Sequence, residues 1–354
     1  MKNISRIILL LLILNLLSCQ KKEIQIALMT KLDQGSIIGS SEFNSCKMFV
    51  NDHPHTKIKV TPFNDQWIPS ETRKQFQIIK NQNIQYIISS HTSSCLVTIK
   101  DDINTNNVLT IITGAATDAI TNLDDNIIRI IPDVQDEQKF IADYMNANFK
   151  KLLIVQDMSN ASYTNPAIQH FMRFYKAYDY KLIRINIDSL NIDLIEKEIA
   201  QTSFDDLYLL IGAHKADAGI IAQLARKYKP ACKIMYTPWM KTPSLLESAG
   251  NSLIGSFMPS YYPPRSQSKN VNSFLTEYKH KYGVFPASIC LNIYSALEIL
   301  DQAIQNGAEN PKTIKDYIIN HHKFKTRFKT IEFNQYGDNI SNIYMITDIK
   351  KEFE

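Results

Sequence analysis

The chain predicts an α/β fold of parallel sheets, and three observations carry that prediction. Short apolar runs rich in Ile, Leu and Val recur along the sequence, most of them separated by stretches of helical periodicity. Two of these runs end in small polar residues: Ile84–Ile88 opens into Ser89–Ser94, and Val108–Ile112 opens into Thr113–Thr117. The alternation then breaks at Tyr261-Tyr262-Pro263-Pro264-Arg265-Ser266, after which helices return, as in a chain that crosses between two lobes more than once.

At the start, Lys2 and Arg6 precede an apolar run from Ile7 to Leu17, broken only by Asn15 and followed by Ser18 and Cys19. The run falls far short of the roughly 20 residues of a spanning helix, so residues 1–18 read as a signal peptide. Leu16-Leu17-Ser18-Cys19 is similar to a bacterial lipobox, which implies cleavage before Cys19 and lipidation of its sulfur; the alternative is a plain signal peptide with a chance cysteine. Several acyl chains would hold the mature chain to a membrane.

Strands are expected at Ile24–Met29, Ile58–Thr61, Tyr86–Ile88, Leu109–Ile112, Ile127–Ile130, Leu152–Val155, Lys181–Ile187, Leu207–Ile211, Lys233–Tyr236 and Leu253–Phe257. Helices are expected at Glu71–Asn81, Cys95–Asn106, Asp136–Asn148, Ala167–Tyr178, Leu190–Gln201 and Ala216–Tyr228. Apolar strands joined by helices mean parallel sheets covered on both faces. Beyond Ser266 come helical patterns at Val271–Lys281, Ala287–Asn306 and Thr313–Asn320, then extended segments at Thr330–Phe333 and Asn342–Thr347 around the turn Asn334–Asp338.

The segments 89–94 and 113–117 should lie on one edge of one sheet, because a single crossover helix joins their strands. Such edges bind ligands in open α/β sheets. Small residues let main-chain N–H groups approach a ligand, and hydroxyls add adjustable donors, so a carboxylate fits. The same Ser and Thr also suit ordinary helix caps, and the residues alone leave both readings open.

Removing Lys2 and Arg6 takes the formal net charge from +4 to about +2, which with no basic stripe gives no case for nucleic acid. Cys46, Cys95, Cys232 and Cys290 show no CxxC spacing, so metal clusters and thioredoxin chemistry are unsupported and buried free thiols are the default. His53-Pro54-His55 lacks a third ligand for zinc. His321-His322 suit solvent at a helix end, and paired acids such as Asp101-Asp102, Asp124-Asp125 and Asp205-Asp206 suit solvated turns. Neither GxGxxG, P-loop nor GxSxG occurs. No metal, no cofactor and no catalytic group is expected, and the chain does not read as an enzyme.

Over essentially the whole mature chain the sequence resembles the type I periplasmic binding proteins, in their branched-chain amino-acid-binding branch. The resemblance rests on Gly35–Asn44, Asn64-Asp65, Ser93-Ser94, Gly114–Thr117, Gln156-Asp157 with Tyr163, Pro259 with Tyr261-Tyr262, and Phe333 with Gly337-Asp338. It implies two Rossmann-like lobes joined by a three-crossover hinge, lobe 1 being 22–132 plus 264–328 and lobe 2 being 133–263 plus 329–354. It also implies that Ser93, Ala115 and Thr117 clamp a ligand carboxylate, and that Tyr163 covers the ligand from lobe 2. Trp239 follows a strand and would face the same cleft or pack at a turn.

One departure stands out: where the family's amino-acid binders place an acid for the ligand ammonium, this chain has Trp239, Met240 and Lys241. Asp217, Asp118 or an unmatched acid would have to serve, or the ligand is not an α-amino acid. Lys215 could meet a further anion or simply be solvated. The function so implied is capture of a small carboxylate-bearing ligand, an amino acid or related metabolite, for delivery to an ABC permease from a lipid-anchored, exported position on the bacterial envelope. The alternative is an envelope lipoprotein that uses the same fold for protein interaction or regulation.

Overall fold

The computed structural model describes residues 23–33, 36–176, 179–212 and 217–353. Cys19, the signal segment and Lys215 therefore lie outside the described residues, and no described helix is long and apolar enough to cross a membrane.

The first half alternates β1 (Ile24–Thr30), α1 (Ile37–Asp52), β2 (Ile58–Asn64), α2 (Pro69–Asn81), β3 (Tyr86–Ser89), α3 (Ser93–Thr105), β4 (Leu109–Ile112) and β5 (Ile127–Arg129). Its strands form one parallel sheet in the order β2-β1-β3-β4-β5. β3 and β4 are buried throughout, because α/β crossovers lay helices on both faces. Gly114 lets their tips meet: a Cβ there would stand 2.2 Å from the Ser90 carbonyl oxygen.

The chain then passes into α4 (Val134–Asn148), β6 (Leu152–Asp157), α5 (Ala161–Phe174), β7 (Tyr180–Ile185), α6 (Ile192–Gln201), β8 (Asp206–Leu210), α7 (Asp217–Tyr228), β9 (Ile234–Tyr236), α8 (Pro243–Ala249) and β10 (Ser256–Ser260). α5 begins six residues before the expected Ala167, since Pro166 lies inside it rather than ahead of it. Proline in the second turn forfeits one main-chain bond without ending a helix already anchored by tertiary packing. Tyr163 and Ser162 thereby become helical residues at the cleft. α8 was not anticipated; Thr242 caps it by accepting from the Leu245 N–H, and Pro243 starts it.

After β10 come α9 (Lys269–Tyr282), α10 (Ile289–Gln305), α11 (Pro311–His321), β11 (Lys323–Lys325), β12 (Thr330–Glu332) and β13 (Tyr344–Ile346). α10 is buried on nearly every face and packs on α1, so the chain has returned to the first lobe. The second sheet runs β13-β10-β9-β8-β6-β7, with β13 antiparallel to β10.

The last passage between sheets differs from expectation. β12 pairs with β11, Arg129 N–H donates to the Gly337 carbonyl, and Asp338 bridges to Arg129, so the chain as far as that turn stays with the first lobe. Only at β13 does it join the second sheet. The passage thus falls between Asp338 and Tyr344 rather than at residue 329, because the turn at Gly337 (φ +88°) sits over Ile128 on the first sheet, where a Cβ would come within 2.5 Å of Ile128 Cδ1.

Cys46, Cys95, Cys232 and Cys290 are buried free thiols. Burial pushes the Cys95 and Cys232 thiols up to about 11, which keeps them protonated and unreactive.

Candidate interlobe binding site

The expected carboxylate clamp lies at the tips of β3 and β4. Ser93 is the first residue of α3 and Thr92 its N-cap, but the Thr92 side chain makes no capping bond. No described acceptor takes the main-chain N–H of Ser93, Ala115 or Thr117, and Ser93 Oγ makes no hydrogen bond to a described residue. All three residues are buried. Thr117 Oγ1 accepts from Ala119 N–H at 3.3 Å and keeps its own proton to donate. A helix N-terminus and an adjoining irregular segment so arranged offer donors without acceptors, the complement of an anion.

Behind this segment lies a fully buried guanidinium that the sequence did not bring forward. Arg129 Nη1 donates to the carbonyls of Ala116 (3.4 Å) and Thr117 (3.0 Å), and Nη2 to Asp338 Oδ1 (2.6 Å) and Thr121 Oγ1 (2.8 Å). It thereby turns those carbonyls away from the cleft and fixes the segment.

The facing lobe presents three rings. Trp239 stands edge-on to Tyr163 (centroids 5.9 Å) and to Tyr261 (5.6 Å). Tyr163 does not hold its hydroxyl in the cleft: it donates to Glu137 Oε1 at 2.5 Å, and the Tyr261 hydroxyl donates to the other carboxyl oxygen. Gln138 Nε2 completes the set at 2.9 Å. Burial pushes the Glu137 carboxyl up to about 7, the three donors opposing the shift. Gly212 makes room for the ring, since a Cβ there would lie 2.6 Å from Tyr163 Cδ1.

Trp239 also lines a cavity of about 20 Å³ between the lobes with Lys241, Tyr261, Tyr262, Ser288 and Asn292, room for about one water. Its Nε1 is buried without a partner. Asn292, at the start of α10, reaches from that cavity to the Thr113 carbonyl (2.8 Å), tying it to the clamp segment. Lys241 does not confront the cleft as a free cation, because Glu352 Oε2 neutralises it at 2.5 Å.

The lips of the cleft are joined. Ser94 Oγ lies 3.1 Å from Ser162 Oγ and 3.3 Å from Asn160 Oδ1, and His170 Nε2 lies 2.8 Å from Asp118 Oδ2. Asp118 is thus engaged across the lips, while Asp217, partly exposed at the first turn of α7, makes no hydrogen bond or ion pair with a described residue. Elsewhere, His53 stacks on Phe49 and His321 on Tyr317, and no cluster of three potential metal ligands occurs among the described residues.

A family model described as periplasmic binding protein matches residues 34–351. Among solved structures, a leucine-binding protein from Thermotoga maritima aligns with a TM-score of 0.78 at 17% identity, covering 91% of this chain and 94% of its own. A solute-binding protein of an ABC transporter from Rhodopseudomonas palustris, in complex with 3,4-dihydroxybenzoic acid, aligns at 0.80 and 18%, covering 92% and 93%. A branched-chain amino-acid transporter substrate-binding protein from Streptococcus pneumoniae, in complex with isoleucine, aligns at 0.80 and 17%, covering 92% and 96%. A search of curated proteins finds no match.

Proposed function

Because the chain belongs to the periplasmic binding protein family and has its two-lobed type I fold, we propose that it captures a small carboxylate-bearing solute between its lobes and hands it to an ABC permease. The family is one of binding proteins, not enzymes, and its members work outside the cytoplasm. The observation that carries the reading is the set of acceptor-free amides at Ser93, Ala115 and Thr117, held open by an uncapped α3 and by Arg129. Three or four hydrogen bonds to a charged group, at roughly 1.5–3 kcal/mol each, supply the order of the ~8 kcal/mol that micromolar affinity needs. Ordering and closure subtract from this, so apolar contact with Trp239 and Tyr261 must contribute. The two solved neighbours with ligands named above hold isoleucine and 3,4-dihydroxybenzoic acid, both carboxylic acids.

A ligand touching both lobes favours the closed arrangement by its differential affinity. Anchoring through a lipid on Cys19 would keep the protein near its permease.

A thermal-shift screen of the chain from residue 20 onward against amino acids, small carboxylates and purines should give a stabilising hit. Ser93→Ala combined with Thr117→Val should weaken that hit ten- to a hundredfold while leaving the unliganded melting temperature in place. Unchanged affinity would remove these residues from the site. Silence across the panel, with capture of an envelope protein, would favour the interaction module.

A further inference from the structure

We propose that the solute is a carboxylate with no ammonium group beside it, an aromatic or branched aliphatic acid rather than an α-amino acid. This rests on the carboxylate-capture reading and adds the ligand's class to it.

The unpartnered groups at the clamp segment and at Trp239 are donors. Main-chain amides of Ser93, Ala115 and Thr117 have no described acceptor, and Trp239 Nε1 is buried, unpartnered and part of the interlobe cavity wall. Indole and amide N–H groups can meet a carboxylate or a neutral oxygen but offer nothing to an ammonium. Two carbonyls of the clamp segment are spent: Ala116 oxygen accepts from Val134 N–H (2.9 Å) and Arg129 Nη1, and Thr117 oxygen from Arg129 Nη1 (3.0 Å).

The acids around the cleft are occupied as well. Asp118 faces His170, Asp65 accepts from Thr72 and Trp67 N–H and contacts His91, and Glu137 is enclosed by Tyr163, Tyr261 and Gln138. Glu42 accepts from Thr30 and Ser90 on Oε2 and keeps Oε1 without a partner, but burial pushes the carboxyl up to about 8, which favours its uncharged form at neutral pH. An ammonium desolvated in such a place would cost several kcal/mol. Asp217 has no hydrogen bond or ion pair to a described residue, and the experiment includes it.

Titration calorimetry on the full chain in mild detergent compares matched pairs: 4-methylpentanoate with leucine, and 3-phenylpropanoate with phenylalanine. The expected result is that at least one deaminated acid binds ten times tighter than its amino-acid partner, and that Ser93→Ala with Thr117→Val weakens it tenfold or more. Equal or tighter binding of the amino acid overturns the inference yet leaves carboxylate capture standing, and loss of that binding in Asp217→Asn would identify the amine partner. Failure of every acid and amino acid to bind overturns both.

Discussion

At the carboxyl ends of β3 and β4 the first lobe leaves amides without acceptors, whereas after β6 and β10 the second lobe buries Tyr163 and Tyr261 on one carboxyl group, with Trp239 from after β9 edge-on to both rings. Both edges come from the same βα repeat. One is finished with Ser, Thr, Gly and Ala, so the main chain itself is exposed to whatever enters; the other is finished with rings, so side chains are. On the proposed function the difference would divide the work, the first lobe meeting a ligand's charge and the second its apolar shape.

The largest effect expected from testing this division comes from the two glycines that shape the edges. In Gly114→Ala the new Cβ meets a main-chain oxygen at 2.2 Å, and in Gly212→Ala it meets a ring atom of Tyr163 at 2.6 Å. Backbone cannot move aside as a ring can, so Gly114→Ala should cost roughly 3 kcal/mol and Gly212→Ala about 1. Urea denaturation measures both, and equal losses would mean that the two edges are equally rigid.

Next come the buried acids, one per lobe. Burial raises Glu42 from 4.5 to about 8 and Glu137 from 4.5 to about 7. Folding therefore favours their protonated forms: the associated stability is complete below about 4.5 and is lost as pH rises through 7 for Glu137 and 8 for Glu42. Between pH 5 and 8.5 the wild type should lose on the order of 3 kcal/mol more than Glu42→Gln does, with a smaller difference for Glu137→Gln, whose carboxylate keeps three donors. Denaturation at the two pH values decides it; a variant that follows the wild type would show that its acid is already ionised in the fold.

The smallest effect belongs to the lips. Asp118→Asn weakens the contact with His170 across the cleft, and nearly half of the Asp118 side chain is in solvent, so ligand affinity should fall only two- to threefold at low salt and less in 0.5 M salt. A large loss, or one that salt does not reduce, would place Asp118 in contact with the ligand instead.

Much of this architecture was legible in the sequence because parallel strands buried on both faces are continuous apolar runs, and β1 to β10 follow them within a few residues. What escaped was set by tertiary contact. Pro166 reads as a helix stop yet lies inside α5, and β11 is three residues, Lys-Phe-Lys, whose polar ends conceal its pairing with β12. In the site, the two polar segments and Trp239 could be singled out from their places after strands. Glu137, Glu42 and Arg129 could not: a charge gives no local sign of the partner that tolerates its burial, and only groups such as Tyr261, 124 positions away from Glu137, make it internal. Raised hydroxyl content near a strand end is a local signal; a buried charge has none.

The pairing of Arg129 with Asp338 also bears on when the first lobe can be completed. The two are 209 positions apart, and the guanidinium is wholly enclosed. A growing chain that stops short of Asp338 lacks the partner that makes this burial tolerable, so β5 and the segment above it cannot settle until that residue has been made. Completion of this lobe is thus a late event, however early its first strands are made.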